Sequence, residues 1–181
     1  MTKLYTFGEN SLKTILYFPE PDIGWELKFV SGTLNWVKRK WGTNQKVIIS
    51  FDLEKEIYKE LLLPEHDGVN VCNPRLCVSN NCLYVYFDEN KTHSVLWLMK
   101  TYGVAESWTR LMMIPHEQLR NHVQHIYCIK PVLILGNHVV LLIWNKLVFY
   151  NLNNGRVDSP RISGGMYIQY AYHESLVSPL L

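Results

Sequence analysis

Apolar and polar side chains alternate with a period of two along most of this chain, and few stretches keep a helical period for three turns. The cleanest case runs from Leu76 to Phe87 with Asn80-Asn81 in its middle. Residues two apart on a strand share a face. Leu76, Val78, Leu83, Val85 and Phe87 therefore fall on one side, and Cys77, Tyr84 and Tyr86 on the other. Asparagine enters the left-handed backbone region at low cost, as a two-residue hairpin turn demands. The segment predicts a hairpin in which Val78 faces Leu83 and Cys77 faces Tyr84, so that the cysteines do not pair.

Similar units recur. Gly32–Val37 is followed by Val47–Leu53, then Tyr58 and a stop at Leu63-Pro64. Asn81–Val85 is followed by Val95–Met99, then Trp108 and a stop at Ile114-Pro115. Asn137–Leu141 is followed by Leu147–Asn151 and Val157. The middle aromatic advances by about 46 residues from Phe51 to Trp97, and by about 53 from Trp97 to Tyr150. Propeller blades repeat at about 40–50 residues, but consecutive hairpins of a sandwich fit the same spacing. The alternation predicts an all-β chain with strands near 29–37, 47–53, 75–78, 82–87, 94–99, 107–113, 131–135, 138–143 and 147–151. A further strand, Thr14–Phe18, follows a turn at Gly8–Ser11. The one segment with some helical character, Pro115–His125, holds only two aliphatic residues and reads as a polar loop between blades. No Gly/Ser-rich linker, charge block or low-complexity tract marks a boundary within residues 1–181.

Composition supports a large core. The 181 residues are 48% hydrophobic and 19% charged, against about 25% charged in an ordinary soluble domain. A net charge of +2 is too small to predict nucleic-acid or membrane partners. No charged n-region leads into an apolar run, and the longest apolar stretch, Val139–Trp144, falls far short of a membrane span of about 20 residues. Cys72, Cys77, Cys82 and Cys128, without a secretion signal, predict reduced thiols in a cytoplasmic or nuclear protein. The sequon Asn90-Lys91-Thr92 carries no meaning inside a cell.

Four segments in order carry a resemblance. Val30-Ser31-Gly32-Thr33-Leu34-Asn35-Trp36, and Ile49–Glu56 with its closing Leu63-Pro64, resemble the F-box associated interaction domain of plant F-box proteins. Trp97-Leu98-Met99-Lys100-Thr101-Tyr102-Gly103-Val104-Ala105-Glu106-Ser107-Trp108 is similar to that family's W-x-M-x-x-Y-G-V-x-x-S-W segment. The tail Tyr172–Pro179 is similar to its Y-x-E-S-L-V-S-P ending. The resemblance runs from Leu4-Tyr5-Thr6 to the end, and departs from the family at Asn35, where a histidine is usual. It implies a kelch-like β-propeller, here about three to four blades forming its C-terminal portion. It also implies a non-enzymatic module that captures an unidentified target protein for an SCF-type E3 ubiquitin ligase. The family's F-box, which binds a Skp-type adaptor, is expected to be missing: Pro19 and Pro21 flank Glu20, and neither fits inside a helix. The adaptor is accordingly not expected to bind residues 1–181. Such a partial propeller should carry uncovered faces at its first and last sheets.

Chemistry beyond binding finds little support. His116, His122, His125 and Cys128 are ligand types, but their spacing matches no standard zinc finger. Cys72-x4-Cys77-x4-Cys82 is broken by the hairpin, and buried cysteine behaves as a small hydrophobe. Nucleophile elbow, Walker, dinucleotide and zincin motifs are absent. Ser175 beside Glu174 belongs to a closing strand, and Asp52 with Glu54 to a solvated turn. Phe51, Trp97 and Tyr150 read as core. No cofactor or catalytic residue is expected. Trp36-Val37-Lys38-Arg39-Lys40-Trp41 interleaves aromatics with cations, as a single-strand nucleic-acid groove does, but with so small a net charge it reads as an inter-strand loop. Recognition concentrates on loops held by a rigid scaffold. The candidates are the loops 38–44, 88–93 and 116–125, with Lys38, Arg39, Lys40, Trp41, Asp88, Glu89, His93, His116 and His122 as partner-facing residues. A lectin-like or other small-molecule-binding β domain is the alternative, since exposed loop aromatics stack on sugars.

Overall fold

Turns too short to cross a sheet force each strand to pair with the next in sequence. A computed structural model describes residues 2–6, 11–15, 26–43, 45–65, 74–89, 92–123, 129–143 and 146–160. β1 (Thr2–Thr6) and β2 (Ser11–Ile15) form an antiparallel hairpin. β3 (Lys28–Val30), β4 (Thr33–Arg39), β5 (Lys46–Asp52) and β6 (Ile57–Leu62) form a first four-stranded meander. β7 (Arg75–Ser79), β8 (Cys82–Glu89), β9 (His93–Met99) and β10 (Trp108–Pro115) form a second. A short helix α1 (His116–Arg120) leads toward the third, β11 (Ile129–Leu135), β12 (His138–Ile143), β13 (Lys146–Asn151) and β14 (Val157–Asp158).

β7 lies beside β3 on one side and β11 on the other. The first strands of the three sheets thus gather along one axis, as in adjacent blades of a partial β-propeller, and the sandwich alternative falls. Phe51, Trp97 and Tyr150 each sit on the third strand of their sheet, β5, β9 and β13. The spacing therefore marks whole blades.

The turns repeat with the blades. Two residues join first to second strand each time: Ser31-Gly32, Asn80-Asn81 and Gly136-Asn137. Asn80 and Asn81 take φ of 49° and 55°, and the register pairs Val78 with Leu83 and Cys77 with Tyr84. Between third and fourth strands, Asp52 Oδ1 accepts N–H bonds from Glu54 (3.1 Å) and Lys55 (2.9 Å). Asn151 Oδ1 does the same for Asn153 (2.9 Å) and Asn154 (3.3 Å). The N–H of Lys55 is the main reason that the Asp52 carboxyl lies below its usual range. Asp52 is thus a turn former.

Elsewhere the strands depart from expectation. The stretch 29–37 is two strands, because Ser31 and Gly32 take φ of 49° and 75° and reverse the chain. β6 completes the first sheet where only Tyr58 was singled out; its burial alternates weakly because it is an outer strand. β2 begins earlier than Thr14, and residues 16–18 lie outside the described residues. Pro131 sits within β11, which is tolerated because β11 is an edge strand with a bulge between Pro131 and Leu133.

The two faces of the β7–β8 hairpin enter different cores. Leu76, Leu83, Val85 and Phe87 join Val30, Ile48 and Leu61 between the first and second sheets. Cys77, Tyr84, Tyr86 and Leu96 join Ile134, Val139, Leu141 and Val148 between the second and third. The far face of the first sheet is not bare as expected: Trp36, Val47, Ile49 and Phe51 are buried there.

Polar bonds fix the angle between the first two blades. Tyr102, from the turn after β9, donates its hydroxyl to Asn35 Oδ1 (2.7 Å). That proton being committed, Ser50 Oγ, 2.7 Å away, supplies the other. Asn35 Nδ2 donates onward to Thr33 Oγ1 (2.9 Å), which donates to the Val30 carbonyl (2.7 Å). Trp108 Nε1 donates to the Leu62 carbonyl (2.9 Å), and the Ser31 N–H to Asn81 Oδ1 (3.2 Å). The residues of the Trp97–Trp108 motif are thus largely inter-blade mortar.

Candidate protein-interaction surface

In a four-stranded meander the second-to-third turn lies at the end where the first strand starts and the fourth strand finishes. Glu26, Arg75 and Lys130, at the start of β3, β7 and β11, meet at one end of the axis: Glu26 Oε1 is 3.0 Å from Lys130 Nζ and 3.9 Å from an Arg75 guanidinium nitrogen. The β4–β5 tip, the β8–β9 tip and α1 therefore all belong to this end. The Ser31–Asn81 bond joins first-to-second turns at the opposite end. All three candidate loops share one end of the propeller, which the sequence did not reveal.

The β4–β5 tip is a tight, hydrogen-bonded reversal. The Lys40 N–H donates to the Gln45 carbonyl (2.8 Å), and the Thr43 N–H to the Lys40 carbonyl (3.1 Å). Thr43 Oγ1 also donates to the Lys40 carbonyl (3.2 Å) and accepts from the Gln45 N–H (3.2 Å). Gly42 takes φ of 74°, a region that glycine enters without steric cost. Lys38 and Arg39 belong to the end of β4, Lys38 half-buried and Arg39 exposed. Lys40 pairs with Glu60 across the sheet at 3.1 Å. Trp41 is 97% exposed, whereas Trp36, five residues earlier, is 1% exposed. Of the two tryptophans, one is core and one is presented to solvent.

The segment 88–93 is less of a loop than expected. Asp88 and Glu89 end β8 and His93 opens β9, with Glu89 opposite His93 and Asp88 opposite Ser94. All three side chains are half-buried. His93 Nε2 lies 3.1 Å from Glu89 Oε2, and its Nδ1 2.9 Å from Thr92 Oγ1. The side chains at this tip are engaged with one another.

The segment 116–125 corrects the polar-loop reading more sharply. Residues 116–120 form a helical turn whose Leu119, together with Val123, enters the core between the second and third sheets. Two aliphatic residues four apart suffice for a single turn when tertiary packing supplies the rest. His116 is 1% exposed, its Nε2 2.7 Å from Ser94 Oγ and 3.8 Å from Asp88 Oδ1. It therefore presents nothing to a partner. His122 is half-buried just past the helix, and its carbonyl accepts from Lys146 Nζ at 3.5 Å. His125 and Cys128, the other members of the zinc-type series, lie outside the described residues, as do Cys72 and the tail around Glu174 and Ser175.

Among the described residues no three His, Cys, Asp or Glu side chains gather as a metal site. Cys77 is buried and donates to the Val132 carbonyl at 3.4 Å. Burial is the main cause that lifts its thiol from 9.0 to about 11. Cys82, half-buried beyond the turn, is also a free thiol. Missing from the sequence-derived candidates were Glu26, Arg75 and Lys130. Their only signal was a charge at the start of each first strand, which reads as an ordinary solvated end.

Comparison with known proteins places this architecture. Residues 1–167 match the F-box associated beta propeller domain. An F-box/kelch-repeat protein of Arabidopsis thaliana is 28% identical over 186 aligned residues, covering 98% of this chain and 48% of that protein. An Arabidopsis F-box protein is 40% identical over 80 residues, covering 44% of this chain and 19% of its own length. The chain thus spans about half the length, or less, of these relatives. With 167 of its 181 residues matched and three successive meander blades, the chain belongs to the F-box associated β-propeller family.

Proposed function

We propose that residues 1–181 are the C-terminal, target-recognition portion of an F-box protein's propeller, serving an SCF-type E3 ubiquitin ligase without catalysing a reaction. The observation that carries this reading is the family match over residues 1–167; the relatives named above are F-box proteins. The placement of three turn-rich segments at one end of stacked blades agrees with it, since loops on a rigid scaffold are where recognition concentrates. In this reading the protein works inside the cell, in cytoplasm or nucleus. Among the described residues no helix is long and apolar enough to cross a membrane.

The adaptor and the target are held by different parts of such a protein. We assign target binding to the end that carries Lys38, Arg39, Lys40, Trp41, Glu89 and His93, and no adaptor binding to residues 1–181. Two pull-downs test the assignment. The purified chain should show no saturable binding to purified Skp-type adaptor. The chain fused behind an F-box should bring adaptor and target down together and support ubiquitination of the target in a reconstituted ligase. Saturable adaptor binding at micromolar concentration by the chain alone would overturn the assignment.

A sugar-binding reading remains the rival, because Trp41 is the kind of exposed loop aromatic that stacks on a sugar face. A glycan array with the purified chain separates the two.

A further inference from the structure

Trp41 is the point where the fold spends an apolar side chain without burying it. A tryptophan offers one of the largest apolar surfaces of any side chain, and at 97% exposure it contributes almost nothing to the core. The tip that carries it is held by four hydrogen bonds among Lys40, Thr43 and Gln45, so the indole's backbone is already ordered before any partner arrives. Pre-ordering lowers the entropy lost on binding, and tryptophan and arginine are among the side chains enriched at interface hot spots.

The surrounding charge identifies the partner's chemistry. Residues 38–46 contain Lys38, Arg39, Lys40 and Lys46 and no carboxylate. Register places Arg39 directly opposite Lys46 and Lys38 opposite Val47, which brings three cations to the two strands beside the tip. Glu60 on β6 answers Lys40. The hairpin is thus a local cation cluster on a chain whose net charge is only +2. A polyphosphate backbone is bound by a broad basic field, whereas a compact cluster around one aromatic suits a short run of carboxylates beside an apolar side chain. We propose that the β4–β5 tip docks an acidic protein segment, with Trp41 covering an apolar residue of that segment and Lys38 and its neighbours facing its carboxylates. This deepens the target-recognition reading and rests on it.

The test uses the intact chain and a fluorescent peptide of glutamates flanking a leucine–phenylalanine pair, with the glutamine counterpart as control. The glutamate peptide should bind, and weaken as salt is added. Trp41→Ala and Lys38→Glu should each weaken it about tenfold or more, with thermal unfolding of Trp41→Ala unchanged because the side chain is solvent-exposed. Equal binding of the glutamine peptide, undiminished binding by Trp41→Ala, or no binding of the glutamate peptide would overturn the proposal. So would tighter binding of oligothymidylate or of phosphatidylserine vesicles. If the ubiquitination target of the fused ligase also binds Trp41→Ala with full affinity, the tip assignment fails while target recognition by the propeller stands.

Discussion

Removing one oxygen atom tests whether the first two blades are locked by polar bonds or only by apolar packing. Tyr102→Phe keeps the ring and deletes the hydroxyl that donates to Asn35 Oδ1 and accepts from Ser50 Oγ. Asn35 is fully buried and Ser50 is 5% exposed, so water does not readily replace the missing partner. Asn35 and Ser50 each lose a bond, and Thr33 Oγ1, 2.5 Å from the same hydroxyl, loses a polar neighbour but keeps its bond to the Val30 carbonyl. A buried polar group costs about 1–3 kcal/mol when left unsatisfied. Tyr102 itself is half-buried, which favours the lower part of that range, a total of about 2–4 kcal/mol. In urea, with m of about 2 kcal/mol/M, the midpoint should fall by about 1–2 M at unchanged m. Asn35→Ala in the same background should cost less than it does alone, by at least about 1 kcal/mol, because the group it removes is already stranded. A midpoint within about 0.2 M of the parent, or additive single and double changes, would refute the reasoning. It would mean that apolar packing alone sets the blade angle.

Trp108→Phe removes the bond to the Leu62 carbonyl and part of a buried ring, and should cost about 2–4 kcal/mol by urea unfolding. Asn80, at φ of 49°, should accept glycine within about 0.5 kcal/mol, while Asn80→Ala costs about 1–2 kcal/mol; denaturant midpoints of the pair read this directly. At pH 8, mass-spectrometric footprinting with iodoacetamide should alkylate Cys82 about tenfold faster than Cys77, whose thiol is buried and raised to about 11. The same shift sets an alkaline limit. A buried thiol that stays protonated in the fold stabilises fully below its unfolded value near 9, and that stabilisation is lost as pH rises toward 11. Tyr86, raised in the same direction by burial, adds to the loss at still higher pH. The melting temperature should therefore decline above pH 9, and a flat profile to pH 11 would show that neither group is buried in solution.

The hairpin at 75–87 was legible down to its register because everything that specifies it is local: alternation chooses the faces and Asn80-Asn81 chooses the turn. The blade repeat was legible for the same reason, since each sheet is a meander of sequence neighbours. The site was less so. Trp41 was picked out as one partner-facing residue of a basic loop, but not singled out within it; that it is 97% exposed came from the structure. His116 was misjudged, because its burial depends on Ser94 and on Leu119 entering the core between the second and third sheets.

Local pattern determined the strands, their turns and the kinship with a propeller family, because each depends on residues within one hairpin of each other. Only the tertiary structure decided which turns share an end, that His116 is buried, and that Tyr102 closes on Asn35. Those outcomes follow from how whole sheets pack. Asn35 and Tyr102 are 67 residues apart, and no periodicity of two or of one blade relates them. Their meeting requires two whole sheets to come together, and no segment within one hairpin specifies that.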